Sequence, residues 1–445
     1  MAKALCASLI AGGAAASAQT AATLSETAPP AAPVITLDEA VRLAQKSEPN
    51  FAAAQAQAQI SRLDHSVAVA GLLPSVTYHN QYLFTQGNGS NDRIGQTTTS
   101  SAPRFIANNA IHEYASQGVV NETIGLQRFS AVSRASAQEA QAAAEAEIAR
   151  RGLFAAVVTL YYGVAAADTK LAVLQRAADE ADHFFHLTQQ REQAREAAHA
   201  DVIKAELTQQ QRTRDVEDAK LAASKAHLEL GVLLFADPRT SFRTESSPPA
   251  VLPDRAEVDA DAGKNNAELK SALAALHASD ADVLSARAAY LPDLGLNFTY
   301  GVDAPQFAVN GPDASRNLGY SASATLDIPV WDWLSTEHKV KQSEIHRDLA
   351  KVALTTAQRR LIANLSEFYD EAATARDQLA SLDASVTAAQ QSLHLTELRY
   401  TGGEGSVLEV VDAQNTLVAA ETAQADGVVR YQLALANLQT LTGRF

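Results

Sequence analysis

Residues 398–417 read Leu-Arg-Tyr-Thr-Gly-Gly-Glu-Gly-Ser-Val-Leu-Glu-Val-Val-Asp-Ala-Gln-Asn-Thr-Leu. They separate two long runs whose apolar residues recur at helical spacing. Gly402, Gly403 and Gly405 break that spacing, because glycine reaches φ > 0 at little steric cost. Ser406 then reads as an N-cap, and Glu409, three residues on, as the carboxylate of a capping box. The stretch is a tight helix–turn–helix tip whose returning helix begins with two acids, Glu409 and Asp412.

Outward from the tip, the pattern is a coiled coil. In the preceding run Leu361, Leu365, Phe368, Ala372, Ala375, Leu379, Leu382, Val386, Ala389 and Leu393 are spaced alternately four and three residues apart. That is the 3.5-residue period of a left-handed coiled coil. After the tip, Val410, Ala413, Leu417, Ala420, Tyr431, Ala434, Leu438 and Leu441 continue the seam, with Gln424 and Gly427 interrupting it. Subtracting 208 from Leu361 gives Leu153, and each seam residue through Leu393 lands on a seam residue of an earlier run that ends at Phe185. Glu409 lands on Asp201.

The strands repeat with a different offset. Leu73-Pro74 and Leu291-Pro292 lie 218 apart. After each pair the period drops from 3.6 to 2. Residues 74–85 put Val76, Tyr78, Tyr82 and Phe84 on one face and Ser75, Thr77, His79, Gln81 and Thr85 on the other, with Asn80 and Leu83 as exceptions. Leu294, Leu296, Phe298, Tyr300 and Val302 alternate with Asp293, Gly295, Asn297, Thr299 and Gly301, and residues 320–330 alternate likewise. A less regular strand is expected over about 116–129, with polar loops at 88–114 and 303–317. Helices are expected from Thr36 toward Gly71 with a kink or division at Pro49, and over about 131–196, 200–235, 256–290 and 336–400. The ten-residue difference between offsets implies a net deletion in the second half.

The organisation expected is therefore a signal peptide at 1–18, a flexible linker at 19–35, a first structural repeat at 36–236, a linker at the equatorial region at 237–255, and a second repeat at 256–445. The signal rests on Lys3, a small apolar run and an Ala16-Ser17-Ala18 cleavage pattern. Cys6, the single cysteine, excludes a disulfide within one chain. A net charge of −15 disfavours nucleic acid. No apolar run of about 18 residues is evident after the signal.

Four strands with one apolar face resemble transmembrane β-strands, yet the smallest membrane barrel has about eight. Unpaired edges are not tolerated in lipid, so several chains must close the barrel. Three chains of four strands give 12. Helices of about 65 residues would extend roughly 100 Å away from it. The fold class expected is mixed α+β, a trimeric 12-stranded transmembrane barrel continuing into a long helical coiled-coil tube.

With the junctions at 71–78 and 289–300, the strand exit Thr-Leu-Asp-Ile-Pro-Val-Trp-Asp-Trp at 325–333, and the tip at 399–417, the chain resembles the TolC-like outer-membrane efflux proteins over about 36–443. The resemblance implies a homotrimer in outer-membrane lipid, a helical barrel in the periplasm, and docking to a periplasmic adaptor and an inner-membrane pump. No cofactor is expected, and the net charge of −15 argues against nucleic acid as a partner. Tyr400, Glu409 and Asp412 match the family's tip tyrosine and acidic entrance positions, with Asp201 in the corresponding slot of the first repeat. Repeated by threefold symmetry, these acids would ring the entrance, favour cations, and make it responsive to acidity. Gly402, Gly403, Gly405 and Ser406 would form the tip turn and adaptor-docking site. Gly405 stands where some members carry a latching arginine. The first tip, residues 193–199, lacks glycine and is expected to differ. Some members are lipid-anchored through a cysteine after the signal; Cys6 lies too early, so no anchor is expected.

The function expected is a passive exit duct for small toxic compounds or drugs. A type I protein secretion duct is the alternative within that class. A soluble periplasmic coiled-coil adaptor or structural protein, its strands in a sandwich, is the alternative outside it. No P-loop, G-x-S-x-G or zinc signature argues for an enzyme. His183 and His186, three apart on a helix, read as structural rather than as a metal pair.

Overall fold

The computed structural model describes residues 33–84, 112–245, 250–311, 314 and 316–444. The signal peptide, most of the first linker and most of the loop at 88–114 lie outside them. Two short strands, β1 (Val34–Ile35) and β4 (Arg243–Thr244), pair in parallel. They hold the two expected linkers against the helices. Tyr161 donates its hydroxyl hydrogen to the carbonyls of Ile35 (2.9 Å) and Glu245 (3.0 Å), and Phe242 and Leu252 are buried. Over its described residues, 237–245 and 250–255, this linker is thus anchored to the helices through Phe242 and Leu252 despite its Pro/Ser composition.

The helix expected from Thr36 is two helices, α1 (Leu37–Ser47) and α2 (Pro49–Ala70). Thr36 caps the first as its T-x-x-E motif predicts, accepting from the Glu39 N–H at 3.2 Å. Pro49 lacks an N–H and cannot continue the ladder. The helix expected over 256–290 is also divided, into α5 (Arg255–Asn265) and α6 (Ala267–Ala288). Asn266 turns the chain to extended backbone there, and its side chain caps α6 through the Leu269 N–H at 2.8 Å. No proline announces this second break.

Strands β2 (Ser75–Phe84), β3 (His112–Ile124), β5 (Asp293–Ala304) and β6 (Leu318–Asp327) form one antiparallel sheet in that order. β3 ends five residues earlier than expected, because Gly125 opens α3 (Leu126–Gln193) at once. A side chain at Gly125 would overlap the Asp293 carboxylate. Residues 112–114 are strand rather than loop. β6 stops before Pro329, which offers no N–H to a ladder. The register separates two faces. Val76, Val120, Phe298 and Ala322 stand in one row, and Tyr78, Gly118, Tyr300 and Tyr320 in the next. The opposite face carries Ser75, Asn121, Asn297 and Ser323, then Thr77, Val119, Thr299 and Ser321. Asn80, the polar exception on the apolar face, is satisfied by the Ser116 hydroxyl at 2.8 Å.

The long helices are α3, α4 (His199–Leu234), α7 (Ser335–Thr401) and α8 (Val407–Thr442). At about 1.5 Å per residue, α3 and α7 each span roughly 100 Å. α3 packs on α2, α4, α6 and α8, and α7 packs on α6 and α8. Every α3 and α7 seam residue is buried or half-buried. The seam's interruption in α8 has a cause. Gly427 lets the helices close up, since a Cβ there would overlap Leu382, and Gln424 donates to Asp383 at 2.6 Å. α3 also contains an 18-residue window with a mean hydropathy of 1.3, apolar enough to cross a membrane by composition. This corrects the reading that no such run exists. Leu153, Val157 and Val164 in α3 are core residues, buried against neighbouring helices.

Candidate functional site: the paired helical tips

The second tip forms as α7 runs out. The Gly402 N–H bonds the Leu398 carbonyl (3.0 Å), Gly403 bonds Tyr400 (3.1 Å) and Glu404 bonds Arg399 (2.9 Å). Of the three tip glycines, only Gly403 uses the left-handed region, at φ 82°. Gly402 is right-handed at φ −73°. Gly405 is small for a different reason: a Cβ there would meet the Tyr400 backbone nitrogen at 2.9 Å. A latching arginine at this position would have to displace that backbone. Ser406 caps α8, accepting from the Glu409 N–H at 3.3 Å.

The first tip makes the same turn without glycine. Ala194 bonds Gln190 (3.0 Å), Arg195 bonds Glu192 (2.8 Å) and Glu196 bonds Arg191 (2.7 Å). Each bond lies 208 residues before its counterpart. Arg195 takes the left-handed position at φ 62°, at a cost of about 1–2 kcal/mol for a residue with a Cβ. The expectation of a different turn is therefore wrong. The bonding of a helix end comes from the backbone, and a non-glycine residue can be forced into it. Asp201 starts α4, accepting from the Ala198 N–H at 3.4 Å.

Tyr400 joins the two tips. Its side chain is buried in a cluster with Phe184, Ala205, Leu393, Val407 and Val410. Its ring lies 5.1 Å from that of Phe184, and its hydroxyl donates to the buried Thr188 hydroxyl at 3.3 Å. Arg191 caps the arrangement. Its guanidinium sits 4.8 Å above the Tyr400 ring, donates to the Tyr400 carbonyl, and lies 3.5 Å from the Glu196 carboxylate. The helices α3 and α7 are thereby fastened through a tyrosine and an arginine.

The acids lie outside this clasp. Glu409 is exposed and lies 3.3 Å from Arg399. Asp412 is exposed one turn along, its carbonyl accepting from the Thr416 hydroxyl at 2.8 Å. Asp201 is half-buried. His183 is exposed, and His186 lies 3.7 Å from Asp182 on its own helix. Among the described residues no group of three or more His, Cys, Asp or Glu could hold a metal ion. The sequence reading missed Arg191, Arg399, Thr188 and Phe184. The signal was present for the arginines, since Arg399 minus 208 is Arg191.

Residues 260–444 match the sequence model of the family described as outer membrane efflux protein. The match takes in the second repeat from within α5 to the end of α8. The chain is 25% identical over 316 residues to outer membrane protein OprJ of Pseudomonas aeruginosa, an alignment covering 70% of this chain and 65% of OprJ. It is 26% identical over 320 residues to the CyaE protein of Bordetella pertussis, covering 70% and 65% of the two chains. The chain thus spans just under two thirds of the length of these relatives. The solved outer-membrane channel OprN superposes with a TM-score of 0.76 at 19% identity, covering 92% of this chain and 89% of that one. The fold of this chain is that of the solved outer-membrane channels, mostly helical.

Proposed function

We propose that three copies of this chain form the outer-membrane channel of a tripartite efflux system, a passive exit duct for small toxic compounds. The carrying observation is a sheet that no described part of its own chain completes. Among the described residues neither face is covered by a helix or a second sheet. Val76, Tyr78 and Tyr320 are 76%, 72% and 77% exposed. The outer strands β2 and β6 each have one unpaired edge. A soluble sandwich would bury that apolar face, whereas lipid covers it at no cost. Pairing β6 of one copy with β2 of the next closes a 12-stranded barrel under threefold symmetry.

The helices ask for the same neighbour. α4 presents Ile203, Leu207, Leu221 and Val232, and α7 presents Ile345, Leu349, Val352 and Ile362, all exposed. These lie on the two outer helices of the layer, so a ring of copies buries them. The barrel then sits in the outer membrane of a Gram-negative cell and the helices hang into the periplasm. Their tips form the entrance, ringed by Glu409, Asp412 and Asp201, and dock a periplasmic adaptor that connects to an inner-membrane pump. Gly402, Gly403, Gly405 and Ser406 shape the docking turn. The layout of helix, two strands and two long helices occurs twice in the element order, which supports duplication of one unit.

The test is conductance of detergent-purified protein in a planar bilayer, with its mass measured in the same detergent. Trimers and discrete channel steps are expected. Recovery in the periplasmic fraction without detergent, or a monomer that never conducts, would refute the reading.

A further inference from the structure

One carboxylate stands on the apolar face of the sheet. Glu122 is on β3, an inner strand, and its register row is Glu122, Leu296 and Ala324. The row on one side is Ile124, Leu294 and Leu326. The row on the other is Val76, Val120, Phe298 and Ala322. Apolar side chains therefore flank the acid along the face. Its Oε2 is buried and has no hydrogen-bond partner.

A trough of ≈ 520 Å³ opens beside it, lined by Val120, Glu122, Leu296, Phe298, Ala322 and Ala324 among others. Its floor is low because two alanines of β6 stand next to leucine and phenylalanine of β5. The position along the strands matters. Glu122 lies three residues before Gly125, so about 10 Å from the helical end of the sheet. Tyr290, Trp331 and Trp333, exposed at the same end, belong to the side-chain types that gather at membrane–water boundaries. Glu122 thus falls where headgroups meet acyl chains, in the leaflet nearer the helices. There the cost of an acid on a lipid-facing strand is small.

We propose that Glu122 and this trough bind a phospholipid whose headgroup carries a primary ammonium, as in phosphatidylethanolamine. The inference rests on the channel reading above. The ammonium donates to the Glu122 carboxylate, whose side chain lines the trough. One acyl chain lies over Ala322 and Ala324, walled by Leu296 and Phe298. Charge complementarity selects the headgroup, because an anionic lipid would place phosphate beside carboxylate with no cation between them. β3 pairs on both sides within its own chain, so assembly of three copies leaves the site open to lipid.

The experiment is native mass spectrometry of detergent-purified protein exchanged with phosphatidylethanolamine, phosphatidylglycerol or phosphatidylcholine of matched acyl chains. Wild type is expected to retain phosphatidylethanolamine about tenfold better than phosphatidylglycerol, the ratio one charge-assisted hydrogen bond supplies. Phosphatidylcholine, with no N–H, falls between them. Glu122→Gln should abolish the preference, and Glu122→Lys should reverse it, both with wild-type conductance. Equal retention of the three lipids by wild type, or an unchanged preference in either variant, overturns the lipid site while leaving the channel intact. The wild-type headgroup series decides the matter even if a variant fails to fold. Protein that needs no detergent and never conducts overturns the channel reading instead.

Discussion

Replacing Arg191 by methionine should loosen the tips by about 2 kcal/mol. The figure comes from three contacts. A charged donor to the Tyr400 carbonyl contributes about 1.5 kcal/mol, the lower end for a group only partly withdrawn from water. The guanidinium over the Tyr400 ring adds about 0.5–1 kcal/mol. The contact with Glu196 adds about nothing, since that carboxylate is 61% exposed. Methionine keeps the aliphatic length, so the variant removes charge and hydrogen bonds more than packing. If parting of α3 from α7 opens the entrance, 2 kcal/mol shifts the open-to-closed ratio about 30-fold. Single-channel recording in a planar bilayer reads this as longer or larger openings. Arg399→Met is the control, because Arg399 reaches only the exposed Glu409 and, at 3.4 Å, the Glu404 carbonyl. Its effect should stay under about 1 kcal/mol. Wild-type openings in Arg191→Met, or equal effects of the two substitutions, would refute the assignment of the clasp to Arg191.

Three further outcomes are expected. Replacing Glu409 and Asp412 together by alanine should lower cation preference in reversal-potential measurements; unchanged selectivity would remove them from the entrance. Gly403→Ala should lower the thermal midpoint through a cost of about 1–2 kcal/mol at φ 82°, whereas Arg195→Gly should leave it unchanged or raise it. Glu147 supplies an acid-dependent term: hydrogen bonds from Arg150 first, then Arg151, hold its carboxyl down to about 2. The folded value lies below the unfolded one, so this stability is complete above about pH 5 and lost as pH falls toward 2. With the side chain 31% exposed, it is worth about 1–2 kcal/mol. Glu147→Gln should therefore melt lower than wild type at pH 7, by a gap that falls to about half at pH 3 and closes only toward pH 2. An equal gap at both values would show that the ion pairs contribute nothing.

By itself the sequence determined what repeats locally along a chain. Spacing of four and three gives the coiled-coil seams, and period-two alternation gives the faces of β2, β5 and β6. Thr36 and Ser406 mark helix starts because a hydroxyl before an apolar run satisfies a particular N–H. Pro49 marks a break between helices because it lacks one, whereas the alternation read through Pro329 to Val330 overran the end of β6 at Asp327. These signals act within a few residues, so they can be read without knowing what lies across from them. What required the tertiary structure depends on a partner distant in sequence. Gln424 and Gly427 look like defects in a seam until Leu382 and Asp383 stand opposite. The linker at 237–255 looks free until β1 and Tyr161 hold it. Residues 193–199 look unlike the glycine tip, yet their backbone bonds match it, because those bonds involve no side chain and Arg195 takes the left-handed position. The tip acids were legible as helix-start residues. The arginine that grips Tyr400 was not, because its importance lies in a carbonyl and a ring 209 residues away.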